Sequence, residues 1–129
     1  MATLQKFTDL KVWREAHNLT LLVYKHTKDY PKSESFGLTS QLRRAAVSIE
    51  SCIAEGFARY HYKDRITFYY DARGSISELQ SQIITSKDLE FLNQNTYEKI
   101  WIQSRTVEII LSGLIKSTEE LSKRRAKST

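Results

Sequence analysis

Residues 38–56 read LTSQLRRAAVSIESCIAEG, and the spacing of their apolar positions decides the fold. Leu42, Ala45, Ile49 and Cys52 recur every three or four residues, which is the period of one face of an α-helix. The stretch does not alternate with the strict period of two that a half-buried strand requires. It therefore predicts a helix over residues 35–58.

The same period predicts three further helices, over residues 8–30, 62–90 and 95–122, followed by a basic tail at 123–129. Thr8 is the expected N-cap of the first helix, and Pro31 disfavours helical geometry at the residue before it. Asn95 and Glu98 have the spacing of a capping box at the start of the fourth helix. Because the intervening turns are short, we expect residues 1–129 to form one all-α domain, an antiparallel up-down-up-down four-helix bundle.

Apolar residues on the first and fourth helices exceed the number that one core face needs. They are Val12, Leu19 and Leu22 on the first helix and Trp101, Ile102, Ile109, Ile110 and Ile115 on the fourth. Monomeric proteins seldom expose large apolar patches. We therefore expect part of this surface to lie between subunits of a homo-oligomer.

Polar residues on the second and third helices are predicted to meet along a line that we call the polar seam. Its members are Gln41, Arg44, Ser48 and Glu55 on the second helix and Gly74, Ser75 and Glu78 on the third. Antiparallel pairing places Arg44 opposite the Ser77–Glu78 region, Ser48 opposite Arg73 and Gly74, and Glu55 near Arg65 and Ile66. Gly74 costs its helix about 1 kcal/mol relative to alanine, and a close approach of the two backbones would offset that cost.

The polar seam has two interpretations. General acid–base catalysis requires carboxylates that converge on one cavity, and Glu55 with Glu78 or Asp71 is the candidate pair. The pairing instead puts an arginine opposite each acid, and Arg59 follows Glu55 in the favourable i, i+4 order for an ion pair. We interpret the seam as architectural, and predict a protein that is not an enzyme.

The sequence lacks the patterns of metal and cofactor sites. His17, His26 and His61 fall on different faces, without the paired spacing of metal ligands, and no glycine-rich phosphate loop is present. Cys52 lies on the apolar stripe and is expected to be an inert thiol, and a lone cysteine fits a reducing compartment. No segment has the signal-peptide or membrane-spanning pattern. We therefore predict a cytoplasmic protein with no cofactor and no membrane partner.

Positive charge is concentrated in three segments that the predicted topology brings to one end of the bundle, which we call the basic end. Residues 1–14, 57–68 and 116–129 contain eleven Lys/Arg and four Asp/Glu, a net charge of +7, whereas the whole chain carries +5. The residues predicted to bind nucleic acid are Arg59, Tyr60, Tyr62, Lys63 and Arg65 in the turn and Lys123, Arg124 and Arg125 in the tail.

Lysine and arginine neutralise phosphates, and exposed aromatic rings stack on unpaired bases. RNA or single-stranded DNA is therefore the expected partner of the basic end. Two alternatives remain open: a tail that only improves solubility, and an adaptor or structural oligomer that binds protein and has no nucleic-acid role.

Several runs resemble a known family, the four-helix bundle proteins encoded in intervening sequences of bacterial 23S ribosomal RNA genes. These runs are FTDLKVWREA at 7–16, LTSQLRRAAVSI at 38–49, IAEGFAR at 53–59 and ARGSISEL at 72–79, and the similarity covers roughly residues 7–120. The resemblance implies the bundle fold and no agreed biochemical activity. Broader relatives, including accessory proteins of diversity-generating retroelements, imply a pentamer that associates with nucleic acid and a reverse transcriptase.

Three positions depart from the family pattern. Cys52 stands where asparagine is common, His61 where a serine would cap the third helix, and Arg65 where an aromatic residue is common. A function that depends on that asparagine is not implied for this chain.

Overall fold

The computed structural model describes residues 4–128, and every regular element in that range is helical. Helix α1 spans Lys11–Thr27, α2 Leu38–Ala58, α3 Tyr62–Asp88 and α4 Gln94–Ser128, with short 3₁₀ helices at Phe7–Asp9 and Lys32–Glu34. The prediction of an all-α four-helix bundle is confirmed. Residues 1–3 and Thr129, which the predicted domain and basic end include, lie outside the described residues.

In each pair of neighbouring helices, residues later in one helix are hydrogen-bonded to residues earlier in the other. The pairs are His17 with Glu50 and Thr20 with Ala46 (α1–α2), Arg44 with Glu78 and Ser48 with Ser75 (α2–α3), and Tyr70 with Glu119 and Gln80 with Ser104 (α3–α4). This order is that of antiparallel neighbours. The bundle closes between α1 and α4, where Gln103 Nε2 donates to the main-chain oxygen of Glu15 at 2.9 Å and to its carboxylate at 2.8 Å.

The core follows the apolar period that the sequence shows. On α3 the residues spaced three and four apart are fully buried; they are Tyr69, Ala72, Ile76, Leu79 and Ile83. Packing of α3 against α2 and α4 removes this stripe from water, which is favourable by about 25 cal/mol per Å² of apolar surface. No helix within residues 4–128 is long and apolar enough to cross a membrane.

The apolar excess on α1 and α4 is smaller than the sequence suggests. Val12, Leu19 and Ile115 are buried in the bundle's own core, so they belong to the part of the apolar surface that the bundle itself covers. The reason is that a bundle helix buries a face wider than one stripe. Ile102 and Ile109 on α4 remain 64% and 62% exposed.

Two helix starts differ from the predicted caps. Thr8 lies in the first 3₁₀ helix, and α1 begins at Lys11 without a side-chain cap. Asp9 provides the local capping instead, because its Oδ2 accepts the backbone N–H groups of residues 5 and 6, and these bonds lower its pKa. At the start of α4 it is Asn93, and not Asn95, whose side chain accepts a backbone N–H, that of residue 96, at 2.8 Å.

The C-terminal segment is helical. Helix α4 continues to Ser128, well past the predicted end at residue 122, so residues 123–128 form its last turns and not a separate tail. Lysine, arginine and alanine are strong helix formers, which is enough to extend the helix beyond its last core contacts. The extension places Arg125 and Ala126 beside the start of α3.

Candidate nucleic-acid interface

The structure joins the turn and the end of α4 at the basic end. Arg125 Nη2 donates to Tyr60 Oη at 3.4 Å, and the guanidinium carbon lies 5.6 Å from the centre of the Tyr60 ring. Tyr60 is 73% exposed. The two groups of predicted site residues, which are far apart in sequence, are therefore in contact.

Arginines of the turn stack on aromatic rings. The guanidinium of Arg59 lies 4.6 Å from the centre of the Phe68 ring, and that of Arg65 lies 5.4 Å from Phe57 and 5.6 Å from Tyr62. Such stacks hold the planar guanidinium group in one orientation while its charge remains. The turn therefore presents arginines that lose little conformational entropy on binding.

Arg65 has an internal role that the sequence did not indicate. Its Nε donates to the main-chain oxygen of Arg59 at 2.7 Å, so it holds the end of α2 against the start of α3. The predicted approach of Glu55 to Arg65 does not produce an ion pair, and within residues 4–128 Glu55 makes none with Arg59 either. In place of an ion pair, Arg65 makes the hydrogen bond to the Arg59 main-chain oxygen and the contacts with the two aromatic rings.

Three further cations of the predicted site make no ion pair within residues 4–128. Lys63, Lys123 and Arg124 are exposed. Ion pairs within the described part of the chain join His17 to Glu50, Arg44 to Glu78 and Arg105 to Glu108, and none includes a cation of the basic end. This end therefore keeps its positive potential, which attracts polyanions over a distance of about 8–10 Å at physiological salt.

Clefts open at the basic end, and two of them bear on the site. The first, which we call the α3–α4 cleft, has a volume of about 400 Å³ and is lined by residues 61–64 and by Ser122, Arg125 and Ala126. The second, about 750 Å³, lies between residues 4–8 and the end of α2. Sequence reasoning missed Ser122 and Ala126, whose spacing of four is the signal of one helix face.

The polar seam consists of exposed and half-buried pairs. Arg44 Nη2 donates to both carboxylate oxygens of Glu78 at 3.2 and 3.1 Å and to Gln41 Oε1 at 3.0 Å. The hydroxyl groups of Ser48 and Ser75 lie 2.9 Å apart, so Ser48 faces Ser75 and not Gly74. These bonds fix the register of α2 against α3.

The predicted explanation for Gly74 is wrong. A Cβ at Gly74 would have no atom within 4 Å outside its own helix, so no backbone approaches it closely. The tightly packed glycine is Gly56, where a Cβ would lie 2.7 Å from Tyr69 Cε1. The rotation of α3 about its axis places Tyr69 against Gly56 and leaves open space at Gly74.

Glu55 and Glu78 lie too far apart to act as an acid–base pair. Arg44 binds Glu78, and Glu55 lies eleven residues further along α2, a rise of about 16 Å. Burial, and then the charges of Asp71 and Glu55, raise the pKa of the Cys52 thiol, so it stays protonated at neutral pH. Among residues 4–128, no group of His, Cys, Asp and Glu is placed to hold a metal ion.

We expect Glu78→Gln to lower the free energy of unfolding by less than about 1 kcal/mol. The Arg44 and Glu78 side chains are 59% and 40% exposed, so water solvates the arginine when its partner is removed. A double-mutant cycle with Arg44→Gln in urea isolates the coupling energy, and Glu120→Gln is the control for loss of an exposed acid. A loss above about 3 kcal/mol would show a buried pair and contradict this assignment.

Comparison with known proteins agrees with the fold. Residues 8–113 match the family model described as 23S rRNA-intervening sequence protein. Among solved structures, the chain is similar to a protein of unknown function from the S23 ribosomal protein family of Bacteroides thetaiotaomicron. The TM-score is 0.74 and the identity 20%, over 81% of this chain and 98% of that chain. At this identity the likeness shows the fold alone. No curated protein matches the chain.

Proposed function

Because this chain belongs to the family of 23S rRNA-intervening sequence proteins, we propose that it is a non-enzymatic helical bundle whose basic end binds RNA or single-stranded DNA. The observation that carries the proposal is a set of exposed cations, Lys63, Lys123 and Arg124, which make no ion pair within residues 4–128 and lie near the contact of Arg125 with Tyr60. They come from the first turn of α3 and the last turns of α4, at one end of the bundle. Their exposure suits contact with a phosphate backbone, which gives affinity without base specificity.

Neutralisation of the unpaired cations tests this function. We expect Lys63→Gln, Lys123→Gln and Arg124→Gln in one variant to weaken binding to many single-stranded sequences alike. Each lost phosphate contact lowers the slope of log K against log salt by about 0.7, so three contacts lower it by about 2. Filter binding at several salt concentrations measures both quantities.

The matched control removes the same charge at the opposite end of the bundle. Lys25, Lys28 and Lys32 are exposed near the end of α1, and their triple glutamine variant has the same net charge as the test variant. We expect it to keep the parent slope. Equal binding by all three proteins at equal salt would overturn the proposed function.

We further propose that the protein self-associates through the outer faces of α1 and α4. Ile102 and Ile109 lie seven residues apart on one exposed face of α4, and Leu21 on α1 is 56% exposed. Exposed aliphatic residues at this spacing favour helix–helix packing. The family resemblance implies five copies, which would multiply the basic face.

An adaptor function is the second candidate. Phe36, in the segment between α1 and α2, is 97% exposed at the end opposite the basic end. A fully exposed aromatic side chain favours contact with a protein partner. If neutralising the basic end leaves nucleic-acid binding unchanged, this function becomes the leading one.

A further inference from the structure

We propose that the α3–α4 cleft holds one unpaired nucleotide of a bound single strand. The phosphate lies on Lys63 and Arg125, and the base lies against the aromatic side of the cleft. The inference rests on the proposed function and names the part of the nucleic acid that this site takes. Such a site would recognise one nucleotide by its shape, in addition to the general attraction of the basic end for phosphates.

The cleft has the size of a small-ligand site. Its volume of about 400 Å³ falls in the range of about 300–1,000 Å³ that such sites occupy. It forms only because α4 remains helical beyond residue 122 and packs beside the first turn of α3. A flexible tail would leave no second wall.

The two cations that line the cleft, Lys63 and Arg125, suit the phosphate group of a larger ligand. They line the cleft from different helices, so a phosphate in it would have a cation on each side, and charge-assisted hydrogen bonds are the stronger kind. The contact with Tyr60 holds the Arg125 guanidinium in place. Two cations on opposite walls define a position, which scattered surface lysines do not.

Asp64 in the same cleft argues against a simple anion as the ligand. A carboxylate repels inorganic phosphate, but it accepts hydrogen bonds from the amino groups of bases, as it does from cytosine N4. A ligand that suits both the cations and Asp64 carries a phosphate and, at some distance from the phosphate, a hydrogen-bond donor. A nucleotide meets both requirements.

The aromatic side of the cleft favours an unpaired base. Tyr62 lines the cleft, and Tyr60 with Arg125 forms a stacked pair at its edge. Aromatic and guanidinium planes stack on any base whose faces are free, whereas a duplex covers those faces. The preference is therefore for single strands, with cytosine able to use Asp64 as well.

Ala126→Trp tests the cleft because it fills the space without changing any charge. We expect it to lower the affinity for a single-stranded oligodeoxycytidylate about fivefold or more, which is the effect of losing one stacked base. Affinity for an abasic strand of the same length, which presents only the phosphate backbone, is expected to stay close to that of the parent. Ser117→Trp, on the same helix and outside the cleft, is the matched control and should leave both affinities unchanged.

Arg125→Lys is a second variant that does not depend on how the helix tolerates tryptophan. It keeps the charge but loses the planar stack on Tyr60, so it should lose the preference for the oligodeoxycytidylate over the abasic strand. The cleft assignment would be overturned if both variants kept the parent's preference for the oligodeoxycytidylate over the abasic strand. It would also be overturned if the parent bound the two strands equally. The proposed function would still stand if the triple neutralised variant binds weakly, and both would fall if that variant binds like the parent.

Discussion

Replacing Gly56 with alanine is expected to lower the free energy of unfolding by about 1–3 kcal/mol. The added Cβ would lie 2.7 Å from Tyr69 Cε1 and 3.0 Å from Phe68 Cβ, both closer than normal contact. Tyr69 is fully buried, so its ring cannot move aside without disturbing the core. The resulting strain exceeds the gain of about 1 kcal/mol that alanine brings to a helix. Urea denaturation followed by circular dichroism measures the change.

Gly74→Ala is the matched control, and its effect should have the opposite sign. Gly74 lies in the middle of α3 with open space where a Cβ would point. Alanine there should raise the free energy of unfolding by up to about 1 kcal/mol, because it restricts the unfolded chain and meets no obstacle. Stabilisation by both substitutions would contradict the close packing assigned to Gly56.

Charged residues on the exposed face of α4 are expected to prevent the proposed self-association. Ile102→Glu with Ile109→Glu places two carboxylates on the proposed contact surface, where burial of an unpaired charge is unfavourable by several kcal/mol. Light scattering should then report the mass of one chain, 15.0 kDa, in place of a larger assembly.

The matched control carries the same change on the other two helices. Val47 on α2 and Ile84 on α3 are both 39% exposed, and their double glutamate variant should keep the assembly of the parent. A parent that is monomeric at micromolar concentration would refute self-association. Dissociation by the control alone would move the interface to α2 and α3.

The sequence predicted the core of the fold better than its helix ends. The period of three and four residues located the buried stripe of α3 because burial itself produces that pattern. Capping depends on which of several nearby polar side chains reaches a free N–H group, and the sequence around Asn93 and Asn95 offers both residues. The last turns of α4 carry no apolar period, which is why the sequence predicts a tail there; only the helix propensity of residues 123–128 favours the helix that the structure shows.

The candidate site was predictable in outline for a similar reason. Short turns between four helices are enough to bring the α2–α3 turn and the end of α4 together, as the contact between Tyr60 and Arg125 shows. The sequence does not specify how far one helix rotates against another. That rotation decides that Gly56 is covered and Gly74 open, and that Arg65 turns inward to the end of α2.

The closing contact between α1 and α4 has a consequence for how the chain folds. Gln103 and Glu15 are 88 residues apart, whereas the other helix pairs are neighbours along the chain. Since a longer loop costs more entropy to close, we expect this contact to form last and to open first. An α1 that has left its own bundle can complete the bundle of another copy at low cost. The fold therefore contains a route to domain swapping, through which two chains exchange their first helices.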